Sequence, residues 1–127
     1  MAELPHPDAV RVLLTDPKVP PGDLDRYGDA FLEAGRASVA TMFYERSKTA
    51  DRAKKIADHA VKQGDAFLME WVARIAPDQA TPESWERVGD AALQQGKLTF
   101  AKVAFEKAGR DGKAAEATTA LLKMLNA

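Results

Sequence analysis

Three segments of this chain repeat one another, and a chain built of repeats folds as a row of similar units, each of which buries its apolar side against its neighbours. The segments are Asp29-Ala30-Phe31-Leu32-Glu33-Ala34-Gly35, Asp58-His59-Ala60-Val61-Lys62-Gln63-Gly64 and Asp90-Ala91-Ala92-Leu93-Gln94-Gln95-Gly96. Each has an Asp, a large aliphatic residue three positions on and a Gly three beyond that, at spacings of 29 and then 32 residues. Without gaps the match extends from Leu24–Ser47 to Ala53–Ala76 and Trp85–Ala108, with small and apolar residues in the same columns.

The period inside each unit is helical. Before the Gly, the sets Leu24, Tyr27, Gly28, Phe31 and Ile56, Ala57, Ala60, Val61 and Trp85, Val88, Gly89, Ala92 recur at steps of three and four, which puts each set on one face of a helix. After it, Val39, Ala40, Phe43, Tyr44 and Ser47 make a second face, matched by Leu68, Met69, Val72, Ala73, Ala76 and by Phe100, Ala101, Ala104, Phe105, Ala108. Gly35, Gly64 and Gly96 fall where a helix must end in left-handed backbone. Each unit is therefore two helices around a tight turn.

The flanks and linkers carry start and stop signals. Thr81-Pro82-Glu83 predicts an N-cap, a first-turn proline and an acid near the helix start; Thr49-Ala50-Asp51 repeats that logic without the proline. Pro77 to Ser84 is the longest linker and the expected site of flexibility. Pro7 to Thr15 predicts a short capping helix, followed by an extended link from Asp16 to Gly22, and Lys113 to Leu125 predicts a terminal helix with one dry side. The chain reads as one domain over residues 1–127: a cap and linker (1–21), three units (22–48, 49–80 and 81–110) and a C-terminal capping helix (111–127).

Composition narrows the function. The net charge is −1, with 18 basic and 19 acidic residues, so the broad basic field that draws proteins to nucleic acid or anionic membranes is missing. No run of apolar residues is long enough to predict membrane insertion, and the acidic, proline-broken start predicts no secretory leader. There is no cysteine, which suits a reducing compartment and makes the cytoplasm the expected location. Neither histidine, His6 nor His59, has a triad or metal partner nearby in sequence, and no phosphate-binding, zinc-protease or hydrolase motif occurs. The expectation is no catalytic residue, no metal, no cofactor and no enzymatic activity.

Trp85, Val88-Gly89, Ala92, Gly96, Ala101, Phe105 and Ala108 resemble the tetratricopeptide (TPR) pattern in spacing, as do Leu24, Tyr27-Gly28, Phe31, Gly35, Ala40, Tyr44 and Ser47. The middle unit follows in register with Ala53, Ile56-Ala57, Ala60, Gly64, Met69, Ala73 and Ala76. The units are shorter than the family's 34 residues and lack its closing proline in register. The resemblance covers about residues 22 to 110. It implies an all-α fold, a right-handed α-solenoid of three helix pairs with terminal capping helices, acting as a protein-binding scaffold or adaptor. Gly28, Ala57 and Gly89 would let the two helices of a pair approach closely.

In that family the first helix of each unit lines a concave groove. The resemblance therefore places Asp25, Asp29 and Glu33, then Lys54, Asp58 and Lys62, then Glu86, Asp90 and Gln94 on a partner-binding surface. Asp stands where the family's carboxylate clamp uses Asn, so the implied partner is a basic or mixed-charge protein segment. The same aspartates also have a plain explanation, since Arg26, Lys55 and Arg87 precede Asp29, Asp58 and Asp90 by three residues and can pair with them along the helix. Trp71, with Phe67 and Ile75, forms a second stripe. It either fills the space left by Ala73 in the column of Tyr44 and Phe105, or makes a back-face patch through which the chain would form a homo-oligomer.

Overall fold

The computed structural model describes residues 4–127 and is all-helical there, with no strand among the described residues. Met1 to Glu3, the start of the expected cap and of the segment read as too acidic for a leader, lie outside the described residues. The helices are α1 (Pro7–Thr15), α2 (Pro21–Glu33), α3 (Ala37–Ser47), α4 (Ala50–Gln63), α5 (Ala66–Ile75), α6 (Pro82–Gln94), α7 (Leu98–Lys107) and α8 (Asp111–Leu125). The linker after α5 holds a short 3-10 turn, Pro77–Gln79. Two compact units divide the chain, Met1–Ala53 and Lys54–Ala127; α4 starts in the first and runs into the second.

Local chemistry accounts for the helix boundaries. The Thr81 hydroxyl accepts from the Ser84 N–H at 3.1 Å and Pro82 occupies the first turn, so α6 starts as its sequence signal predicts. α1 is capped by His6, whose Nδ1 accepts from the Asp8 N–H at 3.2 Å, and α5 by Asp65, which accepts from the Leu68 N–H at 3.1 Å. Pro21 and Gly22 open α2, where the sequence predicted an extended link, because proline at the first helical position surrenders an N–H that would have no partner anyway. Likewise α8 starts at Asp111, two residues before the predicted Lys113. The three turn glycines have φ of 78°, 62° and 75°, as their place after a helix requires.

In the first unit, α2 and α3 form a hairpin whose closest approach is at Gly28. A Cβ there would stand 2.5 Å from the Tyr44 ring, so only glycine lets the ring lie against the α2 backbone. Phe31 stacks on Phe43 at 5.7 Å, and Tyr27 meets Phe43 at 5.8 Å. α1 packs on α3.

The second unit repeats that hairpin in α6 and α7. The two hairpins are in register at a spacing of 61 residues, placing Pro21 on Pro82, Gly28 on Gly89, Asp29 on Asp90 and Tyr44 on Phe105. Gly89 seats the Phe105 ring as Gly28 seats Tyr44, with the same 2.5 Å approach for an added Cβ. Ala92, Ala101, Phe105, Ala114 and Ala117 form a buried cluster shared by α6, α7 and α8. Trp71 is buried at 8% exposure, in keeping with the core role that the sequence offered for it. Phe67 of the same stripe is 70% exposed and meets Phe100 edge-on at 5.3 Å.

Candidate binding surface

The first helix of each hairpin carries two acids four residues apart, and in both units these acids are bound by the start of a later helix. In the first unit Asp25 accepts from the Thr49 hydroxyl at 2.9 Å. Asp29 accepts from Arg52 Nε at 3.1 Å, from Arg52 Nη2 at 2.8 Å and from the Tyr44 hydroxyl at 2.6 Å. In the second unit Glu86 accepts from Arg110 Nε at 3.1 Å and from Lys113 Nζ at 2.8 Å, and Lys113 also reaches Asp90 at 3.1 Å. Thr49 and Arg110 share one column of the 61-residue register, and Arg52 and Lys113 another. The two units thus carry the same lateral clip with different side chains.

Hydrogen bonding, and for Tyr44 first of all burial, shifts the ionisation of these groups. The Tyr44 phenol is held well above its ordinary range by burial and then by its bond to the Asp29 carboxylate. Hydrogen bonding to Asp29 raises the Arg52 guanidinium. Bonding to Lys113, with Arg110 adding to it, holds Glu86 below its ordinary value, and Glu86 and then Asp90 raise Lys113 in turn. Lys113 also lies 5.4 Å from the centre of the Phe105 ring, which has no hydroxyl to offer Asp90.

These contacts sort the residues expected on a partner-facing groove. Asp25 is buried at 7% exposure, and its Oδ1 has no hydrogen-bond partner among the described residues, so it faces the interior and not a ligand. Asp29 and Glu86 are engaged in the clips. The partners that hold Asp29 and Asp90 come from other helices, beyond the pairing along the helix that the sequence suggested, because the fold brings Arg52 and Lys113 alongside. Arg26 is bonded to Asp23. Glu33, Lys54, Asp58, Lys62 and Gln94 are exposed, as is Leu93, and Asp90 keeps more than half of its side chain in solvent.

In the second unit the C-terminal end of α4 lies against the C-terminal end of α6. Gln95 Nε2 donates to the Lys62 carbonyl at 3.1 Å and Lys97 Nζ to the Gln63 carbonyl at 2.6 Å. A Cβ on Gly64 would come within 2.5 Å of the Ala92 backbone nitrogen. Lys62 and Gln94 therefore stand on neighbouring helix ends.

Among the described residues no group of three or more His, Cys, Asp or Glu side chains is placed to hold a metal ion, and no helix is long and apolar enough to cross a membrane. His59 is half-buried in α4. No family model, no curated protein and no solved structure matches this chain.

Sequence reasoning missed the clips, though a signal was present. Thr49 and Arg110 each lie 24 residues beyond the acid they bind, and Arg52 and Lys113 each lie 23 beyond Asp29 and Asp90, but no local pattern ties residues so far apart.

Proposed function

We propose that the chain is a tetratricopeptide-like α-solenoid of three helix pairs with capping helices, acting as a non-catalytic scaffold or adaptor for a segment of another protein. The observation that carries this reading is the repeated hairpin with its glycine seat and lateral clip. A stack that fixes its first helices side by side by internal bonds leaves the remaining polar columns of those helices free to recognise a partner. In this reading Lys54, Asp58, Lys62, Asp90 and Gln94, with Leu93 as an apolar contact, meet a basic or mixed-charge segment. Asp25, Asp29 and Glu86 hold the scaffold and make no partner contact.

The test is binding of arrayed fluorescent peptides of basic, mixed and acidic composition to the full chain and to an Asp58→Lys/Gln94→Lys variant. Retention of basic or mixed peptides by the wild type, and their loss from a variant of unchanged helicity, supports the reading. Equal retention by both, or none by either, refutes it. The alternative is a self-assembling module working through its back face; it draws on the exposure of Phe67 and Ile75, since Trp71 itself is buried. A Phe67→Ser variant that lowers the mass in solution would favour that alternative.

A further inference from the structure

We propose that this chain associates head to tail, the C-terminal end of α8 of one copy seating in the groove between α1 and α2 of a second copy. The proposal stands apart from partner binding on the first helices and survives if that reading fails.

A register of 61 residues relates the two units of the chain. It carries α4 onto α8, α5 onto α1 and α6 onto α2, and the packing agrees, because α1 lies on α3 as α5 lies on α7. Within the second unit the end of α4 is already docked against the end of α6. The chain therefore contains one example of the contact, and it carries unmatched copies of both halves.

Exposure marks the unmatched halves. Val61 of α4 is half-buried and Gly64 buried, whereas their counterparts on α8, Leu122 and Leu125, are 52% and 69% exposed. On the other side, Val88 of α6 is fully buried and its counterpart Tyr27 is not; Tyr27 helps to line an open groove of about 510 Å³ with Leu4, Pro5, Ala9, Val12 and Leu13. Val12 in that groove is 59% exposed.

Polar chemistry matches in the same way. Lys97 donates to a carbonyl at the end of α4, and its counterpart, Arg36, is exposed at the corresponding place. The last carbonyls of α8 have no N–H donors further along the helix to pair with and carry the negative end of its dipole, so they favour a cation. Arg36 of a second copy supplies one, while Leu122 and Leu125 cover Val12 and Tyr27.

The seat is looser than the internal one. Asp8 and Arg11 hold the columns of the buried Met69 and Val72, and Leu125 replaces the glycine that lets α4 touch the Ala92 backbone. Association is accordingly concentration-dependent. Because the two surfaces differ, the contact is heterologous and does not stop at two copies by symmetry.

Mass in solution tests this on the full chain, by sedimentation and light scattering over a concentration series. A tail variant, Leu122→Glu/Leu125→Glu, and a head variant, Val12→Glu/Arg36→Glu, each block one surface at exposed positions. The expected result is a wild-type mass that climbs past the dimer, two variants that stay monomeric, and an equimolar mixture of them that forms a dimer and stops there. Arg36→Gln alone is expected to weaken association about tenfold. Should a charged variant lose helicity, Leu125→Ser or Arg36→Gln takes its place in the mixing experiment. A wild type that is monomeric throughout, a wild type that stops at the dimer, or a mixture that fails to assemble overturns the proposal.

Discussion

The Tyr44 hydroxyl in α3 donates a 2.6 Å hydrogen bond to Asp29 in α2, and in the second hairpin the matching residues are Phe105, which has no hydroxyl to give, and Asp90. The same backbone approach thus supports a polar link in one hairpin and a wholly apolar ring in the other. Tyr44→Phe should lower stability by about 1.5–3 kcal/mol, the range for a hydrogen bond to a charged group, with Arg52 still holding Asp29. Urea unfolding followed by circular dichroism measures this; a loss below half of that range would mean the bond adds little.

Tyr44 also gives the chain an alkaline limit. As pH rises past the ordinary phenol value of 10.0, the unfolded chain loses this proton while the folded chain keeps it, so stability falls from there upward. In Tyr44→Phe that part of the fall is absent, and stability against pH above about 10 should be flatter than in the wild type. Thermal melts across the alkaline range, with phenolate absorbance read alongside, make the comparison.

The second clip acts at the acid end. Glu86 is held below its ordinary value of 4.5, so the stability it contributes is present above that pH and is lost as pH falls through the lower folded-state value. Glu86→Gln should show a shallower loss of stability below about pH 4.5 than the wild type. Lys113→Met should produce the same flattening, since Lys113 is the chief cause of the shift.

Gly89→Ala sets two effects against each other. Alanine gains about 1 kcal/mol of helix propensity, but its Cβ meets a Phe105 ring with no solvent-exposed surface and no room to move. Overpacking wins, with a net loss of about 1–3 kcal/mol. A Gly89→Ala/Phe105→Leu double variant should be more stable than the sum of the single losses allows, which a double-mutant cycle detects.

The turn glycines should separate in a similar way. Gly35 and Gly96 have open space around an added Cβ, so alanine there costs only the left-handed strain of about 1–2 kcal/mol. Gly64→Ala must also push back the Ala92 backbone, and should be the most damaging of the three in chemical unfolding. Lys48 occupies left-handed backbone at φ 59° where its counterpart is Gly109, and Lys48→Gly should raise stability by about 1 kcal/mol.

The sequence by itself determined the helices, the turns and the close-approach glycines. These follow from local rules: a period of three and four residues, a left-handed turn that favours glycine, and a proline or hydroxyl at a helix start. It also left Trp71 with a core role among its alternatives, since Ala73 leaves a gap that some neighbour must fill. Only the tertiary structure decided what the acids do. Asp25, Asp29, Glu86 and Asp90 share columns with Lys54 and Asp58, and nothing in that periodicity tells a buried carboxylate from an exposed one. The difference arises because Thr49 and Arg52, and Arg110 and Lys113, come alongside from helices 23 or 24 positions further on. An ion pair between helices depends on where two backbones lie in space, and that is set by the packing of Gly28 on Tyr44 and Gly89 on Phe105, not by the charges themselves.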